Sequence, residues 1–117
     1  MFERPEGGQS VVLVSVDFGD PDHAESLAEL RLLAGSAGLD VVAQVQARRD
    51  RPDAALFVGS GKADEIGETT RLHEAGLVIF NHELSPVQER NLERRMQCRV
   101  LDRTALILHI FALRARS

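Results

Sequence analysis

The chain has 117 residues, 44% of them hydrophobic, which is the size and core content of one compact globular domain. With five Phe and neither Trp nor Tyr it lacks stacking platforms for single-stranded bases, and its one cysteine excludes an internal disulfide. No signal-peptide pattern and no bilayer-length apolar run is present, so the sequence predicts a cytoplasmic protein without a membrane span. The net charge of −4 argues against a general nucleic-acid coat, yet the charge is uneven. Residues 1–58 hold ten acids against five bases, and residues 59–117 hold eight acids against nine bases.

In chain order, residues 1–9 are polar, carry Pro5, Gly7 and Gly8, and read as a flexible lead-in before a domain over 10–117. Ser10–Val16 is a β-branched run of the kind covered on both faces in a parallel sheet. Asp17, Gly19, Asp20 and Pro21 form a turn, and Asp22 with Glu25 three residues on resembles a capping box. The following helix carries Leu27, Leu30, Leu33, Ala34 and Ala37 on one face and stops at Gly38. Leu39–Ala47 is a second strand, Arg48–Pro52 a polar loop, and Ala55–Val58 a brief extended piece.

A helix is predicted from about Ala63 to Ala75, ended by Gly76, then a strand at Leu77–Phe80. Ser85, Pro86 and Gln88 give the next helix a complete N-terminal signature, and Arg94 and Arg95 suit its negative end. Arg99–Leu101 is the fourth strand, and Thr104 opens the last helix. Alternation at this spacing predicts an α/β fold: a four-stranded, mostly parallel sheet in the order 2-1-3-4 with helices on both faces.

Gly59-Ser60-Gly61-Lys62 invites comparison with a phosphate loop. The comparison fails, because Ala63 stands where a magnesium-holding hydroxyl is needed and Leu56 where the leading glycine is needed. Two glycines and a lysine at a helix start still make Gly59, Ser60, Gly61 and Lys62 a candidate anion or nucleotide-phosphate site. Arg48, Arg49 and Arg51, with Lys62, form a candidate patch for RNA phosphates, and Arg90, Arg94 and Arg95 on one helix extend it. His82 and Glu83, with Asp17, Asp20, His23 and Asp102, fall at carboxyl ends of strands, where open sheets bind ligands. Such residues are more often caps and turn formers, so no catalytic residue and no metal ligand is assigned. The last helix is apolar around its circumference, and Leu106, Ile107, Ile110, Phe111 and Leu113 are predicted as an interface.

The runs NHELSP (81–86), RNLE (90–93), VLDRTALIL (100–108) and IFALRARS (110–117) resemble the N-terminal domain of the HflX family of translational GTPases, and VGSGKADEI (58–66) extends the likeness. It covers roughly residues 11–117 and is most specific from Leu77 onward. The resemblance implies a module that binds the large ribosomal subunit through its rRNA, in a protein that dissociates ribosomes. GTP and magnesium are implied for the whole protein and no cofactor for this chain, which has neither G-x-x-x-x-G-K-[ST] nor N-K-x-D and is expected not to be an enzyme by itself. The last helix is expected to lead toward a missing helical part and GTPase domain. Two alternatives remain at this stage: an ATP- or GTP-phosphate-binding domain using Gly59 to Lys62, and an assembly domain that forms homodimers through its last helix.

Overall fold

A computed structural model describes residues 9–115, the side chain of Arg114 excepted. The predicted lead-in therefore lies outside the described residues save for Gln9, whose carbonyl accepts the Asp40 amide at 2.9 Å. The chain alternates β1 (Ser10–Asp17), α1 (His23–Ser36), β2 (Asp40–Arg48), α2 (Ser60–Leu72), β3 (Leu77–Phe80), α3 (Pro86–Met96), β4 (Arg99–Leu101) and α4 (Arg103–Ala115). The sheet is parallel throughout in the order β2-β1-β3-β4, as the alternation predicted.

β1 and β3 are buried on both faces because each face carries its own helix pair. Val12, Val14, Val78 and Phe80 face α2 and α3, meeting Ala63, Ile66, Leu92 and Met96. Val11, Leu13, Leu77 and Ile79 face the other way, toward Leu30 and Leu106 of α1 and α4. Period-two alternation thus feeds two separate cores from one strand. Gly67 of α2 is buried against α3, where an added Cβ would make ordinary contact at 3.5 Å with the Met96 backbone.

Local signals hold well from β3 onward. Ser85 Oγ accepts the Gln88 amide at 3.1 Å while Gln88 Oε1 accepts the Ser85 amide at 2.8 Å, a complete capping box with Pro86 in the first turn. Four boundaries differ. Asp22 makes no side-chain cap for α1, and the Asp20 carbonyl accepts the His23 amide at 3.2 Å. Arg48 closes β2 opposite Asp17 instead of starting the loop. α2 starts three residues early, at Ser60, and ends at Leu72, where Glu74 turns left-handed at φ 55°. α4 opens at Arg103, because Asp102 Oδ1 accepts the Ala105 amide at 2.8 Å. No helix among the described residues is long and apolar enough to cross a membrane.

Candidate nucleic-acid interface

The predicted extended piece 55–58 is a tight turn. Asp53 and Phe57 exchange backbone hydrogen bonds of 3.1 and 2.9 Å, and the Asp53 carboxylate accepts the amides of Ala55 and Leu56 at 2.9 and 2.8 Å. Those bonds, the Leu56 amide first, together with Arg49, hold the Asp53 carboxyl below the usual range. Phe57 sits at φ 68°, a left-handed backbone that a bulky side chain adopts only when its surroundings require it. The requirement is visible: its buried ring meets Phe18, Phe80 and His82 at centroid distances of 5.6, 6.0 and 5.8 Å.

Two side chains of α3 grip this turn from outside. Gln88 Nε2 donates to the Asp53 carbonyl at 2.8 Å, and Asn91 Nδ2 donates to the Ala55 carbonyl at 3.0 Å. One helical turn further on, Arg94 and Arg95 border the same hollow of about 420 Å³ that Ala55, Leu56 and Asn91 line. Sequence reasoning passed over Gln88 as a cap only and Asn91 altogether. The one available signal was Pro52-Asp53, a turn-forming pair.

The predicted basic residues divide. Arg49 folds inward, its Nε donating to the Arg51 carbonyl at 3.1 Å, and its guanidinium lies 3.2 Å from where a Cβ of Gly59 would stand. The arginine loop and the glycine turn are therefore brought together. Lys62 pairs with Glu65 of its own helix at 2.9 Å. Arg95 makes a two-pronged pair with Asp64 across the α2–α3 contact, at 2.9 and 3.3 Å, and its hydrogen bond keeps the Asp64 carboxyl below the usual range. Arg48, Arg51, Arg90 and Arg94 are exposed and have no ion-pair partner among the described residues. Gly59 is the N-cap of α2, and Ser60, Gly61 and Lys62 form its first turn instead of a preceding loop.

The strand-end residues mostly perform structural tasks. Asn81 clasps β1 through the Val16 amide at 2.9 Å, and His82 Nε2 lies 2.9 Å from the Val16 carbonyl. Asp17 accepts the Gly19 amide at 2.7 Å, and Asp102 accepts the Leu84 amide at 2.9 Å besides capping α4. His23 and Ser15 share a 2.7 Å hydrogen bond. A hollow of about 290 Å³ lies between the start of α1 and His82, with Asp20, Asp22 and Glu29 among its walls. No group of three or more metal-type side chains close enough to hold an ion occurs among the described residues.

The interface predicted on α4 needs one correction. Leu106 is fully buried against the sheet and belongs to the core, because it packs with Leu13 of β1, Leu77 and Ile79 of β3 and Leu30 of α1. Ile110 also packs against that core, whereas Phe111 is 67% exposed and Leu113 is exposed beside it.

Residues 24–112 match the family model described as GTP-binding GTPase N-terminal. The chain belongs to this family. Within it, the GTPase HflX of Escherichia coli is 47% identical over 117 residues, the whole of this chain and 28% of its own length. The GTPase HflX of Alkalihalophilus pseudofirmus is 41% identical over 111 residues, or 93% of this chain and 26% of its own. The chain thus spans a little over a quarter of such relatives and carries their N-terminal HflX-type domain. Among solved structures, a complex of SsGBP with GDP superimposes with a TM-score of 0.70 at 24% identity, covering 93% of this chain and 30% of that one. A GTP-binding protein of Sulfolobus solfataricus, also with GDP, gives 0.61 at 21% identity over 90% of this chain and 30% of its own. These two likenesses concern the fold.

Proposed function

We propose that this domain is the ribosome-binding module of an HflX-type GTPase, seating rRNA phosphates of the large subunit on Arg48, Arg49 and Arg51 at the edge where β2 ends and on Arg90 and Arg94 of α3. The observation that carries the reading is that four of these guanidiniums are exposed without an acidic partner among the described residues, in a chain of net negative charge. Unpaired arginines make two-pronged phosphate contacts, while Lys62 and Arg95, already paired, add less. The complete protein, in the cytoplasm, would bind GTP and magnesium in a part beyond this domain and dissociate ribosomes. The exposed apolar face of α4 supports a packing surface for that part, or for a second copy of the isolated domain.

Pelleting the chain with large ribosomal subunits across a salt series tests the reading. Binding is expected to weaken steeply with salt, by a logarithmic slope of about 0.7 to 0.9 for each phosphate contact. Replacing Arg48, Arg49 and Arg51 together by Glu is expected to abolish pelleting; retention of full binding would remove this edge as the contact.

A further inference from the structure

We infer that the hollow between the Asp53–Phe57 turn and α3 is a built phosphate seat for one backbone position of the bound RNA, with Arg94 as its anion-binding group and Asn91 as the residue that positions its opposite wall. This deepens the reading above and rests on it. The wall is preorganised: the Ala55 and Leu56 amides end on the Asp53 carboxylate, Asp53 and Phe57 bond each other, and the Asp53 and Ala55 carbonyls end on Gln88 and Asn91. A turn saturated in this way loses little freedom when a ligand settles against it.

The spacing on α3 unites these roles. Gln88, Asn91 and Arg95 recur at helical intervals, so one stripe of the helix grips first the turn and then Asp64 of α2. Arg94 borders the hollow beside that stripe, exposed and without a carboxylate partner among the described residues. Arg95 engages Asp64 through Nε and one terminal nitrogen, leaving its other terminal nitrogen to donate. The lining of Ala55, Leu56, Asn91, Arg94 and Arg95 holds no acid, and the Arg94 guanidinium with the remaining terminal nitrogen of Arg95 are its donors toward a phosphate, the turn supplying shape alone.

Arg94→Gln and Asn91→Leu separate charge from positioning. Binding of the chain to large ribosomal subunits is read at several salt concentrations, with circular dichroism confirming the fold of each variant. Arg94→Gln is expected to weaken binding about tenfold at low salt and to reduce the salt slope by about 0.7 to 0.9, one phosphate contact. Asn91→Leu releases the Ala55 carbonyl without touching a charge, and is expected to weaken binding about fivefold with the slope unchanged. Should Asn91→Leu unfold, Asn91→Ala removes the same bond, also without touching a charge, and carries the same expectation. A folded turn variant that binds like wild type, or an Arg94→Gln slope equal to wild type, overturns the seat. Failure of the wild type itself to bind subunits instead removes the reading under Proposed function.

Discussion

Helices α3 and α4 invert the relation between composition and burial. α3 is mostly polar, yet two of its three large apolar side chains, Leu92 and Met96, are enclosed while Val87 is 54% exposed, and side chains of its first, middle and last turns bond neighbouring segments. α4 is apolar nearly all round, yet of its described large side chains only Leu106 is fully enclosed, while Leu108 and Phe111 are 62% and 67% exposed. The difference lies in what each packs against. α3 is wedged between α2, the 53–57 turn and the sheet, whereas α4 lies over β3 and β4 with α1 beside it. A helix buries what its neighbours cover, and apolar side chains beyond that cover stay in solvent.

The largest test of the contrast compares like truncations on the two helices. Leu92→Ala is expected to cost about 3 kcal/mol, and Leu106→Ala a similar amount, because each empties a filled position. Phe111→Ser is expected to change stability by less than about 0.5 kcal/mol, and urea denaturation reads all three. A large loss with Phe111→Ser would mean that α4 is covered after all. In sedimentation, the same comparison predicts self-association of the isolated chain that Phe111→Asp abolishes.

Of intermediate size is the cap. Ser85→Ala removes one half of the capping box and is expected to cost about 1 kcal/mol by the same measurement. A smaller effect is expected at Glu74, exposed and left-handed at φ 55°: Glu74→Gly should gain about 0.5 kcal/mol by relieving the backbone.

The smallest effect concerns Glu89 on α3. Its burial, and then the charges of Glu93 and Asp102, raise its carboxyl above the ordinary value. The fold therefore favours the protonated form, and the stability this contributes is complete below the ordinary carboxylate range and lost as pH rises through the raised value. Glu89→Gln is expected to raise the melting temperature at neutral pH and to leave it unchanged at acid pH. An equal shift at both would place the cause in packing instead of charge.

Much of the scaffold was legible because its signals are local. Ser85, Pro86 and Gln88 declare a helix start within four residues, and the β-branched run at 10–16 declares a strand covered twice. The candidate site was legible only in its charges. Its shape was not, since Asn91 meets Ala55 across 36 positions and Arg95 meets Asp64 across 31. The turn at 53–57 was misread for the same reason: Phe57 takes a disfavoured backbone to join Phe18, Phe80 and His82, which periodicity does not register.

By itself the sequence determined the α/β alternation, the parallel order of the strands, the capped start of α3 and the family to which the domain belongs, because propensity, capping and motif spacing act over a few residues. Tertiary structure alone decided which arginines stay unpaired, where the 53–57 turn rests and which side of α4 faces outward. Those outcomes depend on neighbours supplied by distant parts of the chain, and a side chain's partner and cover exist only once the helices have settled on the sheet.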